Sequence, residues 1–322
     1  MIFRQLFDQT SGTYSYLLAS RRGGEALIID PVLEKVDRYL ALVKELDLKL
    51  VKAVDTHMHA DHITGLGALR DKTHCITVMG EQTKADVVSM RLADGEQLTI
   101  EGLALDVIYT PGHTDDSYSF IMPDRVFTGD TLLIRGTGRT DFQNGDPRAQ
   151  YESIFGRLLK LPNETLVYPA HDYKGDTVST IGEEKAHNPR LQVKSIDEYV
   201  VLMNNLKLSN PKMMDVAIPA NMKVGLHQEE VARRGWAVTA ANALLLLGKP
   251  TWRWSICVSV PSANAMAPFR ARCTCPTRPC RKQSPPVECC TNWRSPRASG
   301  CCSTAPLANA QPWRYRPHRT QA

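Results

Sequence analysis

The densest chemistry in the sequence is His57-x-His59-x-Asp61-His62, three imidazoles and a carboxylate within six residues. Directly after a predicted strand, such side chains converge on one point only if the loop is held by a metal ion or by a dense hydrogen-bond network. Three more residues of the same types stand at comparable places. His113 follows the turn Thr110-Pro-Gly112, Asp130 follows Phe127-Thr-Gly129, and His171 follows Tyr168-Pro-Ala170. Proline and glycine punctuate strand ends, so each of these taken singly could be a turn residue.

The elements that must position these side chains are readable from periodicity. Alternation through Ile2, Leu6, Phe7, then Tyr14 to Leu18, then Ala26 to Ile29 closed by Asp30-Pro31, predicts a run of hairpin-like strands. Val36, Leu40, Val43 and Leu46 recur at helical steps, so residues 34–46 form an amphipathic helix, and residues 48–54 a buried strand leading into the histidine motif. A helix is expected from Gly65 onward. Further strands are expected at 103–109, 118–121, 126–128 and 166–168, and helices at 148–160 and 196–206.

The set His57, His59, Asp61, His62, His113, Asp130 and His171 resembles the metallo-β-lactamase superfamily over about residues 1–180. That resemblance implies an α/β chain folded as a four-layer αββα sandwich with its metal site at one edge. It also implies two possible ligand sets: His57, His59 and His113 for one ion, Asp61, His62 and His171 for another, with Asp130 between them. Two zinc ions so held would activate a hydroxide for hydrolysis of an ester, thioester or lactam.

A second layer of motifs points elsewhere. Arg135 to Asp146 (RGTGRTDFQNGD), Pro169 to Gly175 (PAHDYKG), Asn188 to Leu191 (NPRL) and Ile218 to Met222 (IPANM) resemble the persulfide dioxygenase (sulfur dioxygenase) family over residues 1–235. The resemblance implies one ferrous ion held by His57, His113 and Asp130. Two histidines and a carboxylate on one face of iron leave room for dioxygen and a persulfide sulfur, and zinc has no redox chemistry to offer in its place. His59, Asp61, His62 and His171 would then orient ligands or move protons. The implied substrates are glutathione persulfide and O2, the products sulfite and glutathione. Arg139 suits the peptide's carboxylates as a planar bidentate donor, with an internal salt bridge to Asp141 or Asp146 as its other reading; Tyr173 and Lys174 lie near enough to the metal loop to touch the tripeptide. The competing reading is a dinuclear zinc thioesterase of the hydroxyacylglutathione hydrolase kind. Gly136-Thr-Gly138 lacks the third glycine and the context of a nucleotide loop.

Composition divides the chain. Of 39 Lys and Arg and 34 Asp and Glu, residues 251–322 hold 11 and one, so residues 1–250 carry 28 against 33, a net of −5. The same 72 residues hold eight of nine cysteines. Cys75 alone precedes them, so the first part is no disulfide scaffold and reads as cytoplasmic, with no signal peptide and no membrane span. A homodimer is left open, and neither nucleic acid nor membrane is an expected partner. A third reading, a nucleic-acid-binding protein, rests on the basic tail alone.

In the resembled family the catalytic domain sometimes precedes a rhodanese domain, and residues 236–250 resemble its entry. From Thr251 the resemblance stops. Back-translated with GC-rich codons and read one base earlier, the sequence from Thr251 yields a strand and a rhodanese-like segment, and residues 300–312 yield a segment like the rhodanese loop with its persulfide-carrying cysteine. Residues 251–322 therefore read as out of frame, and their arginine- and proline-rich composition as a disordered tail.

Overall fold

Buried residues fall on both faces of the first strands, which is what a sheet covered on two sides requires. The computed structural model describes residues 1–209, 211 and 213–225; the expectations for residues 236–250 and 251–322 lie outside the described residues. The first sheet comprises β1 (Ile2–Asp8), β2 (Thr13–Ala19), β3 (Glu25–Ile29), β4 (Lys49–Val54), β5 (Ile76–Gly80) and β6 (Met90–Leu92), side by side in chain order. Pairing is antiparallel from β1 to β3 and parallel from β3 to β6. The first two parallel crossovers run through α1 (Val36–Glu45) and α2 (Leu66–Thr73), and the third has no helix. The second sheet comprises β7 (Gln97–Ile100), β8 (Leu103–Tyr109), β9 (Tyr118–Met122), β10 (Arg125–Gly129), β11 (Leu166–Pro169) and β12 (Ser179–Thr180). Only β10 and β11 are parallel there, and the chain between them includes α3 (Pro147–Tyr151). Three helices follow: α4 (Ile181–His187), α5 (Ile196–Asn204) and α6 (Met214–Asn221).

Three apolar layers join these elements. Leu17, Ala26 and Ile28 pack with Tyr39, Val43, Leu66 and Leu69 on the helix-covered face of the first sheet. The alternating residues Tyr16, Leu18, Leu27 and Ile29 face Val107, Phe120 and Phe127 of the second sheet. The outer face of that sheet, Val126 and Val167, lies under Ile154, Leu158, Ile181 and Tyr199. Helices, sheet, sheet, helices is the αββα order expected, and each fully buried leucine or isoleucine contributes roughly 1.5–3 kcal/mol to it.

The expected strands at 103–109, 118–121, 126–128 and 166–168 are β8 to β11, within a residue or two. The expected helix at 148–160 is not uniform. It opens at Pro147 under an Asp146 cap, widens to π-helical pitch over Glu152–Arg157, and closes in a 3-10 turn, Leu158–Lys160. The wide turn leaves Phe155 stacked on Tyr151, ring centroids 4.2 Å apart, while Ile154 and Leu158 stay buried against the sheet. Among the described residues no helix is long and apolar enough to cross a membrane.

Candidate metal centre

β4, β8, β10 and β11 all end at one edge of the sandwich, and the functional side chains lie just beyond those ends. The loop after β4 has no regular structure of its own and is held from three sides. Asp30, at the end of β3 with a φ of +49°, accepts from the Thr56 amide at 2.7 Å, the Thr56 hydroxyl at 3.0 Å and His59 Nε2 at 3.2 Å. Asp116 accepts from the Met58 amide at 3.3 Å. Asn221, on α6, donates to the carbonyls of His59 and His62, both at 2.9 Å, and accepts from the Thr64 amide at 2.8 Å.

Within this frame His57, His113 and Asp130 come together, one potential ligand atom of each within 4.8 Å of the others. The Thr56 O–H donates to Asp30, so His57 Nδ1–H donates to the Thr56 oxygen at 2.9 Å. His113 Nδ1–H donates to the Arg139 carbonyl at 2.7 Å. Both rings therefore turn Nε2 away from these partners, and His113 Nε2 lies 3.6 Å from Asp130 Oδ2. A ligating histidine is characteristically oriented by a hydrogen bond on its other nitrogen. The donor set fits a metal ion.

A second cluster, His59, Asp61, His62 and His171, abuts the first. His171 joins them: Nδ1 lies 2.7 Å from Asp130 Oδ1 and Nε2 2.7 Å from Asp61 Oδ2. Burial would lower the His171 pKa, but Asp130 and Asp61 raise it well above the usual imidazole value. Burial would likewise raise both carboxyls; His171 overrides it and holds Asp130 and Asp61 well below the carboxylate range. Burial, with a neighbouring imidazole next in weight, keeps His57 and His59 well below theirs, so both are neutral and can offer lone pairs. His59 Nδ1 and His62 Nε2 are buried and hydrogen-bond to nothing among the described residues.

The expected substrate residues surround this edge. Tyr173 is 72% exposed, its ring parallel to His171 with centroids 6.0 Å apart, and Lys174 is exposed beside it. Arg139 makes the internal ion pair with Asp141, at 2.5 and 2.6 Å, and also donates to the Ser209 carbonyl at 2.7 Å. Asp146 instead caps α3.

Sequence reading missed the supports. Asp30 looked like a strand terminator, and Asn221 stood only within a quoted motif. Thr13 carried no signal at all. The other motifs are also explained by the fold. Buried Glu184 pairs with Arg135 and accepts from Asn188, whose amide also donates to the Gly136 carbonyl at 2.9 Å, while Arg190 donates to the Thr137 carbonyl. These bonds fix the loop behind Asp130 and His113. Gly138 is required there, since a Cβ would lie 2.2 Å from the Asp130 carbonyl and 2.8 Å from the His113 ring.

The fold and site define a metal-dependent enzyme class: residues 9–86 and 80–171 match the metallo-beta-lactamase superfamily. The mitochondrial persulfide dioxygenase ETHE1 of Mus musculus is 45% identical over 229 residues, covering 70% of this chain and 89% of the relative. The Homo sapiens protein of the same name is also 45% identical over the same coverage. The crystal structure of ETHE1 from Myxococcus xanthus is 52% identical, with a TM-score of 0.69 over 70% of this chain and 100% of that one. The chain belongs to the persulfide dioxygenase family of the metallo-beta-lactamase superfamily.

Proposed function

We propose that the chain is a non-haem iron persulfide dioxygenase that oxidises glutathione persulfide with O2 to sulfite and glutathione. The observation that carries this reading is the His57, His113 and Asp130 face, where two imidazole nitrogens and one carboxylate oxygen meet, each group fixed by a partner on its other side. Ferrous iron bound there supplies open positions and electron transfer from sulfur to oxygen, which zinc cannot. His171 orients Asp130 from behind. His59, Asp61 and His62 form the adjoining cluster and are assigned to ordering the ligands and moving protons. Tyr173 and Lys174 receive the glutathione moiety. Arg139 has two tasks: its carbonyl orients His113, and its guanidinium exchanges Asp141 for a substrate carboxylate.

One observation favours a second reading. The orphaned His59 Nδ1 and His62 Nε2 are atoms that a second ion would satisfy, as in a dinuclear zinc thioesterase. Metal analysis with oxygen uptake separates the two. One iron per chain, with oxygen consumed only when glutathione persulfide is present, supports the dioxygenase; two zinc ions and thioester cleavage without oxygen uptake overturn it.

The same proposal places the chain in the cytoplasm, where the buried Cys75 thiol stays reduced, although the mammalian relatives are named as mitochondrial; cell fractionation decides. No nucleic-acid partner is assigned, and the homodimer is tested by light scattering. Domains are proposed at 1–235 for the dioxygenase and 236–250 for the remnant of a rhodanese entry. Residues 251–322 are proposed to be translated out of frame. Sequencing across the Pro250 codon tests the frame. Persulfide oxidation that survives deletion of 251–322 supports the assignment, and its loss refutes it.

A further inference from the structure

The β1–β2 hairpin ends beneath the metal centre, and its role there is not absorbed by the ligands or by the substrate residues. Backbone bonds stitch it to the loop after β11: the Tyr14 amide donates to the Ala170 carbonyl at 2.7 Å, and the Asp172 amide to the Gly12 carbonyl at 3.0 Å. This brings Thr13, completely buried, against three side chains of the second cluster. Its hydroxyl lies 3.0 Å from His171 Nε2, 3.2 Å from Asp61 Oδ2 and 3.2 Å from His62 Nδ1.

The hydroxyl is anchored from the outside. Ser11 Oγ is 2.7 Å from Thr13 Oγ1, and the Ser11 hydroxyl and amide both donate to Asp8 Oδ2, at 2.7 and 2.9 Å. Lys35 pairs with the other oxygen of Asp8 at 3.1 Å. Because the Ser11 O–H donates to Asp8, its oxygen is left to accept from Thr13, whose hydrogen is shared between Ser11 and the Asp61 carboxylate and whose lone pairs accept from His171 Nε2–H. His171 Nε2 then has two acceptors, Asp61 and Thr13, that fix the plane and tilt of the ring. The opposite nitrogen of that ring holds Asp130 Oδ1.

We propose that Thr13 is a positioning residue for the reaction: its hydroxyl, tied to Ser11 and Asp8, sets the His171 ring so that Asp130 keeps one oxygen on His171 and turns the other toward His57 and His113. The inference rests on the reading that those three residues hold the metal. It concerns orientation, because the Thr13 hydroxyl hydrogen-bonds to neither the proposed ligands nor the substrate residues.

The test compares Thr13→Val, Thr13→Ser and Ser11→Ala in the full chain. Its first readout is the rate at which a chelator draws off the bound metal; its second is the split between kcat and KM for glutathione persulfide. Removing a partner that orients a ligand typically changes metal affinity or activity by about 10–100-fold. Thr13→Val, which keeps the branched shape, should release metal at least about ten-fold faster and lower kcat by a similar factor, with KM within about two-fold. Thr13→Ser should restore both to within about three-fold. A valine variant with the parent release rate overturns the proposal, as does a serine variant as impaired as the valine, which would assign the effect to the methyl group. If the valine variant does not fold, Ser11→Ala decides: faster metal release supports the outer anchor, and an unchanged rate refutes it. Metal release does not depend on turnover. A parent chain that holds two zinc ions and consumes no oxygen would therefore refute the dioxygenase reading while the variants still judged Thr13.

Discussion

Asn221→Ala should be the most damaging single truncation that replaces none of the seven histidines and aspartates. The carboxamide is 3% exposed and makes three hydrogen bonds, at 2.8, 2.9 and 2.9 Å, to the backbone of the loop that carries His57, His59 and His62. Alanine leaves one amide and two carbonyls without partners. A buried polar group stripped of its partner costs about 1–3 kcal/mol, so three cost about 3–9 kcal/mol before relaxation. The space vacated admits a water that can serve two of them, which leaves one unpartnered and brings the expected loss to about 1–3 kcal/mol. Against a total stability of roughly 5–15 kcal/mol that is a large fraction. All five tryptophans lie at or beyond Trp236, so unfolding of the metal-free protein in urea is best followed by far-ultraviolet circular dichroism. The midpoint should fall with little change in slope, and the loaded protein should lose its metal about ten-fold faster. A loss below about 1 kcal/mol, together with unchanged metal release, would refute the argument that α6 holds the metal loop through this side chain.

Other expectations follow from the same geometry. Gly138→Ala should abolish metal retention or solubility, because its Cβ meets the Asp130 carbonyl and the His113 ring, neither of which can give way; elemental analysis of the purified variant checks this. His171→Ala should still take up one iron per chain at saturating ferrous ion, whereas a two-zinc enzyme would lose its second ion. The metal-free protein should be most stable near neutral pH, because the depressed His57 and His59 imidazoles contribute stability that is fully present above about 6.5 and is lost as pH falls through their folded values. The depressed Asp130 and Asp61 carboxyls contribute stability that is fully present above their unfolded values near 4 and is lost as pH falls through the folded ones. The raised His171 contributes below about 6.5 and is lost as pH rises through its folded value. Asp30, pushed up to about 6 by burial against the opposing pull of His57, acts on the same side as His171, since its ionisation is disfavoured in the fold. Urea midpoints measured from pH 3 to 9 should therefore decline on both sides, and a profile still rising through pH 8 would contradict the assignment.

Much of the site was legible in one dimension because metal chemistry restricts residue type and because ligands occupy strand ends, which proline and glycine mark. His57, His113, Asp130 and His171 could each be placed after a strand from local pattern alone. The strands of the second sheet were legible for a similar reason: apolar runs bounded by turn residues. The π-helical turn after α3 was not, since the apolar spacing that marks a helix does not distinguish its pitch, and only the fold shows the turn widened where Tyr151 stacks on Phe155.

By itself the sequence determined the candidate ligand types, their order along the chain, and the compositional break at residue 251. Tertiary structure decided which partner each ligand faces. Arg139 could be an anion clamp or an internal ion pair on sequence grounds, and folding pairs it with Asp141, two residues away. Thr13 and His171 are 158 residues apart and meet only because the hairpin pairs with the strand end beyond β11. Asn221 reaches the metal loop across a comparable separation. Periodicity reports which side of an element is apolar, but a buried hydrogen bond between distant residues depends on where two elements cross, and that is fixed only when the sheets close on each other.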